Sequence, residues 1–303
     1  MRGMAASLVL AVLVQGALAQ VDSRPAGVPV EAVRPVVPVR ESPVSAPVIQ
    51  PVGPGQVDWT YHIVRATGMS VLDTSLPVGQ RKAMAIRGAR VDAQRNLLET
   101  VKGVRVVSET KVNDLMMRSD YVFSKVDGVI KGAVQVGEPR ETGDGRVEVT
   151  MEVPVYGPSG LAGPLVDEVL KSRPPRLPAT ALSPQDQDMV RASSGVVFDI
   201  SGGGIEPQMF PALLDSSGNV LLDMIRYYQS AGPDAFKRFQ YIQSIEDVLG
   251  NPDLRANPTV IKIVKAVKDG WVVAQKDIKK VSWLQRALDV LLKAGKLIAL
   301  FLR

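Results

Sequence analysis

The chain has 303 residues, a formal net charge of +5, one histidine and no cysteine. That composition excludes disulfides, thiol nucleophiles and thiolate metal sites, and a single histidine cannot supply the paired imidazoles of most zinc centres. Aromatics make up only 5% of the residues while valine is abundant, which favours strands with small-residue packing over an aromatic-lined pocket.

The N-terminus reads as a targeting segment. Met1 and Arg2 give a short basic start, Gly3 to Val14 is mainly apolar, and Ala17-Leu18-Ala19 is a small-x-small cleavage pattern before Gln20. Residues 1–19 are expected to be a secretory signal peptide cleaved after Ala19, with the rest exported to a bacterial periplasm. Gln20 stands where lipidation would need cysteine. No later segment reaches the ~18 apolar residues of a membrane span, so no transmembrane helix is expected after signal removal.

Residues 20–56 carry prolines at 25, 29, 35, 38, 43, 47, 51 and 54. Proline fixes φ and lacks an amide donor, so this stretch is predicted to be an extended, hydrated, disordered tether. Order is expected from Val57. Tyr61, Ile63 and Val71 are strand-like, and His62 beside them is expected at an edge or on the surface.

Gln80 to Lys102 has helical composition. Ile86, Ala89 or Ala93, Leu97 and Val101 give one apolar stripe at spacings of three and four. Gly88 inside that helix costs about 1 kcal/mol relative to alanine. With Ala85, Ala89 and Ala93 it places small residues on neighbouring turns, which predicts close approach to a sheet. Gly103 sits where a C-cap glycine belongs. Alternation from Val104 to Val112 predicts a strand, and Asp114 to Lys125 a short helix or loop. A hairpin follows: Ile130, Val134 and Val136 on one strand, a turn over Pro139–Gly145, and Val147 to Val155 alternating on the other. Residues 57–157 are thus expected to form an α+β domain, a helix packed on an antiparallel sheet.

Residues 158–194 are read as a linker with a short helix over Leu165–Lys171. Residues 195–303 are expected to be a second, smaller α+β domain. Its strands are predicted at Val196–Ile200, near Phe210–Asp215, and at Val220–Met224, Phe239–Gln243, Val260–Val267 and Leu297–Leu302. A capped helical turn is placed from Ser244 and a helix at Lys276–Lys293.

"RGARVDAQRNLLETVKGVRVVSETKV", "VDGVIKGAVQVGE" and "GRVEVTMEVPV" together resemble the N-terminal domain shared by LPP-type membrane-associated lipoproteins and flagellar assembly protein T. "VVFDISGGGIEP", "PTVIKIVKA", "WVVAQKDIKKV" and "KAGKLIALFL" are similar to the C-terminal half of such proteins. The resemblance covers packing positions. It implies an envelope protein tied to flagellar or outer-membrane assemblies, and it supplies no catalytic residues.

Features that could carry chemistry are few. Gly202, Gly203 and Gly204 lack the lysine of a phosphate loop and read as a turn requiring positive φ. Asp199, Glu206, Asp215 and Asp223 could form a carboxylate pair or a cation site, but their spacing matches no metal loop and suits turn caps. No catalytic, metal or cofactor site is expected. From Thr259 onwards eight lysines and two arginines face three aspartates, so the positive charge concentrates at the C-terminal end. Lys276, Lys279, Lys280, Arg286 and Lys293 are the candidate contacts for an anionic surface, lipid or cell-wall polymer rather than nucleic acid. Ile278, Val281, Leu284, Leu288 and Leu291 form a stripe that either lies on a membrane with Trp283 or, as expected here, packs on the protein's own sheet. Gly88, Ala89, Ala93 and Gly103 are the structural packing positions. The sequence therefore predicts a non-catalytic envelope scaffold or adaptor whose partners are envelope proteins or a second copy. The alternative is a peripheral membrane or wall-binding module acting through the basic face.

Overall fold

Strand alternation and one long helix build the first layer. The computed structural model describes residues 46–171, 181–202 and 204–302. The expected signal peptide, the tether up to residue 45, residues 172–180 of the expected linker, Gly203 and Arg303 lie outside the described residues. The end of the expected tether is a correction. Ile49–Val52 (β1) and Gly55–Asp58 (β2) form an antiparallel hairpin with Gly53 at φ 56°. Its prolines are tolerated because β1 is an edge strand, where a missing amide breaks no ladder. Trp59 anchors the hairpin: it is fully buried, its amide donates to the Val48 carbonyl, and its indole N–H donates to Gln50 Oε1 at 2.9 Å.

Ile63–Val71 (β3) leads to the helix Val78–Gly103 (α1). Arg105–Val107 (β4) and Thr110–Lys111 (β5) follow as a tight hairpin, where one strand was expected. The break is Ser108, which adopts φ 48° and turns the chain. Val112–Arg118 (α2) and Asp120–Lys131 (α3) come next. Ile130, expected on a strand, lies in α3, because Val122, Val126 and Ile130 are spaced by four and bury together after a Ser119 cap. Val134–Thr142 (β6) and Arg146–Pro154 (β7) complete an antiparallel sheet of order β1-β2-β3-β7-β6.

Ala162–Lys171 (α4) and Pro184–Ala192 (α5) occupy the expected linker. α5 was hidden by its prolines, yet Pro184 stands at the start of a helix and Ser183 with Asp186 makes a capping box. Gly195–Asp199 (β8), Ala212–Leu214 (β9) and Val220–Asp223 (β10) precede Met224–Ala231 (α6). Then come Phe239–Ile242 (β11), Ile245–Gly250 (α7), Pro258–Val267 (β12), Gly270–Val273 (β13), Ile278–Lys293 (α8) and Leu297–Phe301 (β14). The seven strands order as β10-β9-β13-β12-β8-β14-β11, so this sheet is larger than the first. Its centre is parallel, β8 lying between β12 and β14, and its other end is mixed. β8 is buried on both faces, as its unbroken "VVF" run requires. Val196, Phe198, Ile298 and Leu300 face the main core, while Val197, Leu297 and Ala299 face a small cluster with Ile242 and Val248.

The fold is a mixed α and β architecture with helices packed on sheets. The boundaries expected at 157 and 195 do not separate two cores. One hydrophobic cluster runs from Val57 and Trp59 through Tyr156 and Phe210 to Leu300. The scarce aromatics concentrate at this junction: Tyr156 contacts His62, Phe210, Tyr228 and Phe236, and Trp59 contacts Tyr241. Hydrogen bonds cross it as well, from Thr60 Oγ1 to the Tyr241 carbonyl (2.9 Å) and from the Tyr156 hydroxyl to the Met209 carbonyl (2.6 Å).

Candidate functional site

Three segments far apart in sequence line an open surface depression of about 290 Å³. The first is the β4–β5 turn. α1 delivers the chain into β4, and the left-handed Ser108 points its turn at the depression with Arg105 and Glu109. The Arg105 guanidinium donates to the Ser108 carbonyl at 3.0 Å and pairs with Glu206. The second segment is the loop after β8. It runs alongside β4, the Met209 and Phe210 amides donating to the Arg105 and Val106 carbonyls at 3.0 and 2.8 Å. Gln208 is fixed at its backbone by one phenol: its N–H donates to the Tyr241 hydroxyl, which donates back to its carbonyl. The third segment is the β12–β13 hairpin, which contributes Ala266, Val267, Lys268 and the buried Trp271.

Two polar atoms of its lining residues are buried without a hydrogen-bond partner: Ser108 Oγ and Gln208 Nε2. Gln208 is only 1% exposed. A buried donor without an acceptor costs about 1–3 kcal/mol, so such groups are rare in native proteins. Here the two lie in neighbouring segments, and Ser108 itself adopts a positive φ. Both atoms are closed off from the depression itself, so they mark unmet polar groups beneath its floor.

The sequence did not single out this depression. Of its lining residues only Gly204 and Glu206 were weighed, and the others are dispersed over more than 160 positions. No short motif could carry it.

The residues that the sequence did single out lie elsewhere or act locally. Asp199 pairs with Lys262 at 2.9 Å and caps Ser201. Asp215 holds its own turn through Ser217 and Asn219, and Asp223 lies 3.6 Å from Arg226. Among the described residues no three of histidine, cysteine, aspartate or glutamate gather as metal ligands would. His62 is a correction: it is buried at the junction of the two sheets, not at an edge. It adopts φ 57°, its Nε2 contacts the Phe239 carbonyl, and its ring meets Tyr156 edge-on at 4.9 Å. Burial lowers its pKa to about 4 against the opposing pull of the Phe239 hydrogen bond.

The five basic candidates divide. Arg286 is committed inward: it holds Asp186 through Nε and Nη2 at 3.1 and 2.8 Å, clasping α5 to α8. Lys280 pairs with Asp277 and donates to the Val260 carbonyl. Lys276, Lys279 and Lys293 are exposed. Val281, Leu284, Leu288 and Leu291 of the α8 stripe, with Trp283, are buried in the core and Ile278 is half-buried, so the stripe packs on the protein itself.

The packing positions act together. Ala89 and Ala93 are buried on α1 against the first sheet. A methyl on Gly88 would stand 2.5 Å from Ser70 Oγ, and one on Gly103 2.5 Å from Val52 Cγ1. Gly103 is the last helical residue, with Val104 as the cap. Sequence reasoning missed their counterpart, Gly68 of β3, although a glycine within a strand was a readable signal of close backbone approach. No protein-family model and no curated protein matches the chain.

Proposed function

We propose that the chain is a non-catalytic exported envelope scaffold or adaptor that engages a protein partner through the outer face of its five-stranded sheet. α1 covers the inner face, against Val64, Ala66, Val149, Met151 and Val153. On the outer face β3 and β7 carry an Arg65–Glu152 ion pair at 2.8 Å and a Thr67–Thr150 hydrogen bond at 2.8 Å. Met69 and Val71 continue that row at 48% and 67% exposure, with Val134 and Ile49 exposed on the flanking strands. An antiparallel sheet usually turns a polar face to water. This one mixes fixed polar pairs with large apolar side chains, the composition of a protein-binding patch. The resemblance of residues 87–155 to envelope and flagellar assembly proteins, and the signal-like N-terminus, support a partner in the cell envelope.

A photo-crosslinking side chain at Met69, compared with one at the exposed Asp188 of α5, tests the reading in intact bacteria. A discrete envelope-protein adduct from position 69 and none from 188 supports it. Equal or absent adducts at both positions, in a correctly exported protein, overturn it.

A further inference from the structure

We propose that the outer face of the second sheet, where β12 lies bare, docks on an anionic lipid bilayer surface. This inference is independent of the reading of the first sheet, since it rests on other residues and on another class of partner.

Strand register defines the face. Ile261, Ile263, Trp271 and Val273 belong to the main core. The alternate positions of β12 point outward, Val260 standing opposite Val197 of β8 and Lys262 opposite Asp199. Val197 is covered, in the cluster that it shares with Ile242, Leu297, Ala299 and Val248 of α7. That cluster holds no residue of β12, where Val260, Val264 and Val267 are between 38% and 52% exposed. A bulge between Ile263 and Lys265 makes Val264 the extra residue, so Val264 and Lys265 stand together opposite Val272, and both are exposed.

Charge selects the partner. The hairpin from Pro258 to Val273 carries three lysines against the single Asp269. Lys262 is neutralised by Asp199 at 2.9 Å. Lys265 and Lys268 are exposed and, among the described residues, stand in no ion pair. The start of α8 extends the same field. Asp277 accepts from the Lys262 amide at 2.9 Å and Lys280 donates to the Val260 carbonyl at 2.8 Å, which sets the first turn of α8 beside β12. Asp277 is bonded to Lys280 and not to Lys276 or Lys279, and those two lysines are exposed. A row of uncompensated lysines attracts a negatively charged surface.

Composition separates a bilayer from a protein. Protein interfaces are enriched in aromatics and arginine and depleted in lysine. The exposed positions of this hairpin hold neither aromatic nor arginine, only valine, lysine, Ala266 and Asp269. Short aliphatic side chains can rest at the acyl boundary while the lysines reach headgroup phosphates. Attachment would be peripheral, since among the described residues no helix is long and apolar enough to cross a membrane.

The test is cosedimentation of the full-length protein with vesicles of phosphatidylcholine alone and of phosphatidylcholine mixed with phosphatidylglycerol, in low and high salt. Binding to the mixed vesicles only, lost in high salt, is expected. Lys265→Gln with Lys268→Gln should weaken it by about tenfold or more, and Val264→Asp should weaken it as well. Lys125→Gln with Lys131→Gln on α3 removes the same charge from another surface and should leave it nearly unchanged. These positions are all exposed, so the fold is kept. Equal binding to both vesicle types, no binding, or equal losses from the α3 pair would overturn the proposal. So would capture of polyglutamate in place of the vesicles, which would assign the face to an acidic protein.

Discussion

Gly68 and Ala93 meet backbone to backbone: a methyl on Gly68 would lie 2.0 Å from the Ala93 nitrogen, and 2.5 Å from the Ala89 carbonyl oxygen. Neither atom can rotate away, so the helix or the strand would have to move. Gly68→Ala is expected to destabilise the protein by about 3 kcal/mol, the upper part of the usual overpacking range. Gly88 differs. Its methyl would meet only the small Ser70 side chain, and alanine regains up to about 1 kcal/mol of helix propensity. Gly88→Ala should therefore be neutral within about 1 kcal/mol, whereas Gly88→Leu should cost about 1–3 kcal/mol. Urea denaturation of the three variants checks this, and equal losses for Gly68→Ala and Gly88→Ala would contradict it.

The α1 stripe was legible because helical period and small side chains are both local signals. So were β7, whose "VEVTMEV" alternates cleanly, and the cap at Ser244, whereas the prolines masked the helix that Ser183 caps. The parallel centre of the second sheet was not legible, since periodicity reports burial and not strand direction. The shared core was hidden for a related reason. Trp59, Tyr156, Phe210 and Tyr241 look like isolated aromatics in a poor composition, and only the fold brings them into one chain of rings. The depression combines both problems. Its lining residues are ordinary types drawn from three distant segments, and the unmet Ser108 Oγ and Gln208 Nε2 beneath them show only once the fold is known.

The junction histidine makes stability depend on pH. His62 titrates at about 4 in the folded protein and at the ordinary 6.5 when unfolded. Between those values the unfolded chain binds a proton that the native protein refuses, so stability rises with pH over this window. The contribution is complete above about pH 6.5 and is lost as pH falls towards 4, by about 3 kcal/mol in all. Asparagine tolerates the left-handed backbone and still donates a hydrogen bond. Unfolding free energies of His62→Asn measured from pH 7 to 4 should fall less steeply than those of the unmodified protein. Parallel slopes would show that another group governs the acid limb.

The clasp between α5 and α8 makes a second, lower acid step. The Arg286 guanidinium, with help from Ser183, holds the Asp186 carboxyl down to about 2. A depressed carboxylate stabilises above its unfolded value of 3.8 and loses that effect as pH drops through the folded value. Arg286→Met should lower the melting temperature at neutral pH and move acid unfolding upward, whereas Lys279→Met should do neither. Circular dichroism of both variants from pH 5 to 1.5 separates the structural arginine from the surface lysine. Indistinguishable profiles would refute the clasp.

Gln208 gives the least intuitive expectation. Its amide is buried without an acceptor, and methionine fills nearly the same volume with a sulfur that demands no hydrogen bond. Its backbone bonds to Tyr241 do not depend on the side chain. Gln208→Met should therefore raise the unfolding free energy by about 1 kcal/mol, the release of an unmet polar group. Most buried substitutions destabilise, so a gain at this depth marks a position kept polar for a purpose other than folding. Chemical denaturation of the purified variant measures it. A loss of about 1 kcal/mol or more would mean that the side chain already has a partner, a tightly held water among the candidates, and that the amide is a structural group of the loop.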